Sequence, residues 1–247
     1  MAGYDFKSES EVKDFINNLG IEYRFGCYSE KKPEVCHLLG DYLESIKKDY
    51  DKAGKVYKTN CDDYKYGKSC LKYGTYCLLG KGGIKEDFPV AYNYLETGCK
   101  NNEADACFNQ GLLLVTDNEK RGINMDILKG MELLKKGCEG KNANACYYLS
   151  GMYISGVKTA KGKRTQATAK ENGEFLSKPN MKLAHQYALE GCKLGNIFSC
   201  ANVSQMYAKG DGVEKNEELA AKFKKITLEM QEEMESNKTL KFQEGLQ

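Results

Sequence analysis

The sequence predicts an all-α protein, an α-solenoid of helix-turn-helix repeats stapled by disulfides. Three observations carry that expectation. Ten of the eleven cysteines fall into five pairs separated by eight or nine residues: Cys27/Cys36, Cys61/Cys70, Cys99/Cys107, Cys138/Cys146 and Cys192/Cys200. The pairs recur every 34 to 54 residues, a period that marks stacked supersecondary units. Small and apolar residues also return at fixed helical offsets from each cysteine, before and after it.

The spacing constrains the chain between paired cysteines. Eight residues of unbroken helix would separate their Cα atoms by about 12 Å, whereas a disulfide spans roughly 4.4 to 6.8 Å. The chain must therefore turn between them, and KNNEADA (100–106), EGKNANA (139–145) and KLGNIFS (193–199) are small, polar or turn-forming. Zinc is a weaker reading, because there is no C-x2-C and there are only two histidines. Reduced core cysteines would explain one cysteine per repeat but not two at a fixed offset. Closing a loop of about nine residues contributes roughly 2.6 kcal/mol in the chain-entropy model, so oxidation and folding are expected to go together.

Taken in order, residues 1–27 read as a capping helix. Ser8 and Glu11 resemble a capping box, and Val12, Phe15, Ile16 and Leu19 follow helical spacing. Residues 28–235 read as five repeats near 34–61, 68–99, 105–138, 144–192 and 198–235. Each comprises a helix A opening near the second cysteine of a pair and a helix B ending at the first cysteine of the next. Four residues after the second cysteine stands Gly40, Gly74, Gly111, Ser150 or Ser204. Glycine inside a helix costs about 1 kcal/mol, so its recurrence implies close helix packing. Eight residues before the first cysteine of a pair stands Ala53, Ala91, Gly130 or Ala184, and four before stands Tyr57, Leu95, Leu134 or Ala188. These positions share one helical face. Gly98, Gly137 and Gly191 suit a helix C-terminus, while Pro89 and Pro179/Asn180 suit helix starts. A basic insertion is expected over 154–180, with Lys158, Lys161, Lys163, Arg164 and Lys170 preceding the first acid at Glu171. Glu217 to Glu235 reads as a charged terminal helix, and 236–247 as a flexible tail.

Composition narrows the function. Lys and Arg total 37 against 35 Asp and Glu, a net charge of +2, which argues against nucleic-acid binding. The longest apolar run, Leu112 to Val115, is far too short for a membrane span. The opening MAGYDFKSESEVKDF lacks a basic region followed by an apolar core, so no secretory signal is expected. A sequon at Asn202 inside a predicted helix fits poorly with glycosylation, and a second stands at Asn237. Disulfides without a secretory route point to the mitochondrial intermembrane space, which imports such chains and oxidises them.

The stretches GKGGIKEDFPVAYNYLETGC (80–99) and MYAKGDGVEKNEELA (206–220), with the paired cysteines, resemble Sel1-like repeats, a TPR-related class. Over nearly its full length the chain resembles the Sel1-repeat cytochrome c oxidase assembly factors of the mitochondrial intermembrane space. That resemblance implies a monomeric protein-binding solenoid, oxidised by the local disulfide relay and serving protein clients of respiratory complex IV. It implies haem binding or thiol-disulfide chemistry as the alternative. The candidate haem ligands are His37 and His185: His37 follows a paired cysteine and is expected packed or at a rim, and His185 is expected at the surface of a helix B. Cys77 is the unpaired cysteine, at a core-facing position that predicts an inert buried thiol. No nucleophile, phosphate loop or paired-carboxylate site stands out, so binding is expected rather than catalysis.

Overall fold

In a computed structural model the protein is described over residues 7–116, 121–158 and 175–244. The elements are α1 (Glu9–Tyr28), α2 (Pro33–Ser45), α3 (Tyr50–Tyr64), α4 (Gly67–Leu79), α5 (Phe88–Lys100), α6 (Ala104–Val115), α7 (Ile127–Glu139) and α8 (Ala143–Ser155). After β1 (Val157–Lys158) and β2 (Phe175–Ser177) come α9 (Met181–Lys193), α10 (Ile197–Lys209) and α11 (Glu217–Glu244). The even-numbered helices are the A helices and the odd-numbered ones the B helices.

The described residues divide into two compact units, one running to Gln110 and also holding 121–124, the other holding 111–116 and those from Met125 onward. In the first, α1 to α5 pack each on the next, around Leu39, Tyr42, Leu43, Tyr57, Tyr73 and Tyr76. In the second, α7 to α11 do the same, and its last repeats close over Ala184, Ala188, Val203 and Met206, with Phe223, Ile226 and Met230 packed against them.

Side-chain caps start most of the helices. Asp49, Asp87, Asp126, Asn142, Asn180 and Asn196 each accept a hydrogen bond from the backbone N–H three residues on, satisfying donors that a helix start leaves open. Pro33 and Pro89 occupy first turns, where a missing N–H is harmless. Ser8 caps α1 by position only. Its hydroxyl lies 2.9 Å from that of Ser10 and makes no cap bond, so the expected capping box does not form.

The small residues in the A helices have a common packing cause. A Cβ on Gly74 would sit 3.0 Å from Leu95 Cγ and 3.3 Å from the Ala91 carbonyl oxygen. On Gly111 it would sit 3.0 Å from Leu134 Cγ and 3.0 Å from the Gly130 carbonyl oxygen. Where the A helix carries serine instead, the hydroxyl donates to the equivalent carbonyl: Ser150 to Ala184 at 2.9 Å, and Ser204 to Ala220 at 2.8 Å. Glycine thus faces Tyr57, Leu95 or Leu134, and serine faces a helix bearing alanines, so volume is conserved across the contact.

Three expectations are refined. Gly98 and Gly191 stand in the last turns of α5 and α9, as expected of a helix C-terminus, but not at a left-handed residue. They are buried within α5 and α9, and an added Cβ would meet Ala106 Cβ at 2.8 Å and Ser199 Oγ at 2.5 Å. Gly137 is likewise buried inside α7. The insertion begins as a short antiparallel ribbon in which Val157 pairs with Ser177, and its basic residues at 161, 163, 164 and 170 lie outside the described residues. α11 runs on to Glu244, through the segment expected as a tail, because QEEMESNKTLKFQE holds no glycine or proline to stop it.

Candidate functional site

The five cysteine pairs lie at the B-to-A junctions as disulfides, Cys27–Cys36, Cys61–Cys70, Cys99–Cys107, Cys138–Cys146 and Cys192–Cys200, with Cα–Cα distances of 4.5 to 4.8 Å. Each junction contains one residue at positive φ: Lys31 (53°), Lys65 (54°), Asn102 (63°), Lys141 (74°) and Gly195 (90°). That single left-handed residue reverses the chain and brings the cysteines within bonding reach. Three of the five are lysine, which disfavours that conformation, so composition could not have marked them.

All ten paired cysteines are buried, and in every pair the second is the more enclosed. The thiol-disulfide alternative would need a sulfur that a thiol can reach. Cys70, Cys107 and Cys200 are 0%, 1% and 0% exposed, so they are core residues rather than a reachable exchange site, and exchange requires that a thiolate reach one of the sulfurs. The cause is the close approach of glycine-bearing B helices. A Cβ on Gly98 would sit 3.4 Å from Cys70 Cβ, and one on Gly191 would sit 3.3 Å from Cys146 Cβ. Cys107 follows the fully buried Ala106, which packs on the same Gly98. Cys200 is covered by α11, with its sulfur 3.8 Å from Met230 Sδ. The disulfides are therefore staples at the repeat junctions, with Cys70, Cys107, Cys146 and Cys200 sealed in the core.

Cys77 is 1% exposed within the first unit's core. Burial pushes its thiol above the ordinary value, with a hydrogen bond to Tyr73 opposing in part. Lys72 and Lys81, its near neighbours in sequence, are engaged elsewhere. Both bind Glu44, at 2.8 and 2.5 Å, and Lys81 also stands over the rings of Tyr50 and Tyr76. Tyr57, fully buried, donates its hydroxyl to Asp41 at 2.6 Å and to Glu44 at 3.1 Å. Burial alone would raise the Glu44 carboxyl, but the hydrogen bonds from Lys72 and Lys81 win and hold it at about 2. This cluster joins α2, α3 and α4 across up to 37 residues, and nothing in the local sequence announced it.

The two histidines belong to different units. His37 sits between the rings of Tyr57 and Tyr66, 5.6 Å from each. Asn60 Nδ2 donates to Ser69 Oγ at 2.8 Å, and the same hydroxyl is hydrogen-bonded to His37 Nδ1 at 3.1 Å. His37 Nε2 faces the Asp41 carboxylate at 3.5 Å. Burial lowers its pKa below the ordinary value despite Asp41, so the ring is neutral at pH 7. His185 is buried rather than superficial, at 8% exposure, because α9 turns it edge-on against Tyr207, 5.0 Å away. Burial lowers its pKa as well, and its Nε2 is enclosed without a hydrogen-bond partner. Haem iron needs an imidazole nitrogen that reaches a cleft. His37 has both nitrogens directed at protein groups and His185 has Nε2 inside the core, so these residues do not fit that group. Among the described residues there is also no cluster of three or more His, Cys, Asp or Glu able to hold a metal ion.

Stacked A/B hairpins with a small residue at each crossing and a disulfide at each junction define a Sel1-repeat protein. The Sel1 repeat model matches residues 33–55, 67–103, 167–196 and 197–223. A solved Sel1 repeat protein from Oxalobacter formigenes has the same fold, with a TM-score of 0.62 over 78% of this chain and 68% of that one, at 21% identity. The cytochrome c oxidase assembly factor 7 homolog of Drosophila melanogaster is 55% identical over 98% of both chains. Cytochrome c oxidase assembly factor 7 of Danio rerio is 38% identical over 99% of this chain and all of its own. The chain belongs to the cytochrome c oxidase assembly factor 7 family.

Proposed function

We propose that this protein is an assembly factor for cytochrome c oxidase, respiratory complex IV, and acts as a disulfide-stabilised protein-binding solenoid. The observation that carries this is 55% identity, end to end, with a relative of that name. Repeat arrays offer extended surfaces to protein partners, and the clients on this reading are proteins of complex IV assembly. The protein works as a monomer in the mitochondrial intermembrane space, where the disulfide relay oxidises it during import. Five buried disulfides support an oxidising compartment. Among the described residues, no helix is long and apolar enough to cross a membrane.

Two measurements test the reading. Cells lacking the protein should lose assembled complex IV and its activity, with restoration by the wild-type chain; undiminished complex IV in the null cells would refute the assembly role. In intact mitochondria the chain should resist added protease and become sensitive once the outer membrane alone is ruptured. Persistent protection after rupture would refute the location.

A further inference from the structure

The first unit carries a groove of about 680 Å³ between α1 and α3, with α2 beneath it. Leu39, Leu43 and Val56 line it together with the Cys27–Cys36 disulfide. All five residues are buried, so the floor is apolar and supported by core packing. The mouth is aromatic and open: Tyr28 is 63% exposed and Tyr64 39%. Beside it on α1, Phe25 and Ile21 are each 60% exposed. Ile21, Phe25 and Tyr28 are spaced i, i+4, i+7, so they form one uncovered strip along the helix. Apolar surface of this extent beside a polar rim is the mark of an interaction site.

The rim has a sign. Arg24, Lys31, Lys47, Lys52 and Lys55 line the groove, against two carboxylates, Asp49 and Asp63. Asp49 is taken by Lys52 at 2.7 Å, and Lys55 is paired with Asp51 at 2.7 Å. Lys47 meets neutral groups, the Asn17 side chain and the Tyr42 ring. Among the described residues, no carboxylate lies within ion-pair reach of Arg24, Lys31 or Lys47. The charge of Arg24 on α1 opposes that of Lys52 on α3, whose pKa Asp49 nonetheless holds above its ordinary value. Arg24, Lys31 and Lys47 thus stand at the rim of an apolar floor as three cations without an ion pair, against one carboxylate, Asp63, that no ion pair takes among the described residues; a ligand supplying carboxylates would balance that excess.

We propose that this groove docks an acidic amphipathic segment of a partner protein. Its apolar side chains sit on Leu39, Leu43 and Val56, and its carboxylates face Arg24, Lys31 and Lys47. An amphipathic segment laid in an apolar groove is a recurrent recognition mode, and the cationic rim selects charge and orientation. A Lys-rich or Arg-rich segment with the same apolar face is rejected. The inference rests on the reading of the protein as a binding scaffold in complex IV assembly and assigns that scaffold one docking face and one partner chemistry.

The test uses the full oxidised chain and two fluorescein-labelled synthetic 16-residue helices. They share leucine and phenylalanine anchors and differ only in carrying glutamate or lysine on the polar face. By fluorescence anisotropy the glutamate peptide binds at least tenfold more tightly than the lysine peptide, and its affinity falls as salt rises. The exposed double variant Arg24→Glu/Lys47→Glu weakens the glutamate peptide at least tenfold, and Tyr28→Ala weakens both peptides; circular dichroism and thiol counting show both variants folded and oxidised. Equal binding of the two peptides, or an unaffected double variant, overturns the proposal. So does a monomer–dimer equilibrium in sedimentation that the double variant abolishes, since a second copy would then be the occupant. If wild type and Arg24→Glu/Lys47→Glu restore complex IV equally to null cells, the groove assignment fails and the assembly role stands. If null cells lose no complex IV, the assembly role fails on its own.

Discussion

Alanine at Gly40 and alanine at Gly151 change stability in opposite directions, although both replace a glycine inside a helix. A Cβ on Gly40 would enter the Tyr57 ring, 2.7 Å from Cδ1 and 2.8 Å from Cζ. That ring cannot move aside. It is fully buried, its hydroxyl is held by Asp41 and Glu44, and its edge packs at 5.8 Å on Tyr76. Overpacking costs about 1 to 3 kcal/mol, and a pinned aromatic ring places this site near the upper end. Helix propensity returns about 1 kcal/mol, which leaves Gly40→Ala less stable by about 2 kcal/mol. Gly151, exposed in the middle of α8, has nothing within 4 Å of its ideal Cβ. There only the propensity remains, so Gly151→Ala is more stable by roughly 0.5 to 1 kcal/mol. Urea unfolding of the oxidised variants, followed by far-UV circular dichroism with an unchanged slope, reads both signs. If Gly40→Ala proves neutral or stabilising, Tyr57 is free to retreat and the close-contact account of the repeat glycines is wrong.

Three other outcomes follow from the same contacts. Glycine at Lys31, Lys65 or Lys141 relieves a left-handed conformation costing about 1 to 2 kcal/mol and concedes part of that to unfolded-chain freedom. Each variant should therefore gain roughly 0.5 kcal/mol in urea unfolding, and uniform losses would remove strain from the account of the junctions. Glu44→Gln loses about 2 kcal/mol at pH 7, allowing for solvent around the part-exposed Lys72 and Lys81. Because the folded Glu44 carboxyl sits at about 2, below the usual 4.5, its contribution is complete above pH 4.5 and fades as pH falls toward 2. The wild type should thus lose more stability than Glu44→Gln over that window, and parallel curves would disprove the coupling. Replacing Cys138 and Cys146 together by serine should cost about 2 to 3 kcal/mol while leaving helix content intact; an unchanged urea midpoint would show that the link contributes nothing.

The amino-acid sequence by itself determined what depends on neighbours a few residues apart. Cysteines eight or nine residues apart force a turn, because a disulfide is far shorter than that length of helix, and the aspartate and asparagine caps act within three residues. Helix order, repeat register and the glycine or serine at each crossing could therefore be read in advance. Tertiary structure alone decided which partner each of those faces meets. Gly98, Gly137 and Gly191 stand in the last turns of their helices, as read, but at Gly98 and Gly191 it is the close approach of the next A helix that leaves no room for a side chain. That same packing sealed Cys70, Cys107 and Cys200 away from any attacking thiol, which spacing along the chain could not show. Lysine at three junction turns contradicted its own conformational preference and left no trace in composition. The Glu44 cluster links Asp41, Tyr57 and Lys72 from three helices with Lys81 from the loop after α4, and His185 became a core residue only once Tyr207 covered it. Those contacts arise from how one hairpin lies on the next, a distance in space that no local spacing encodes.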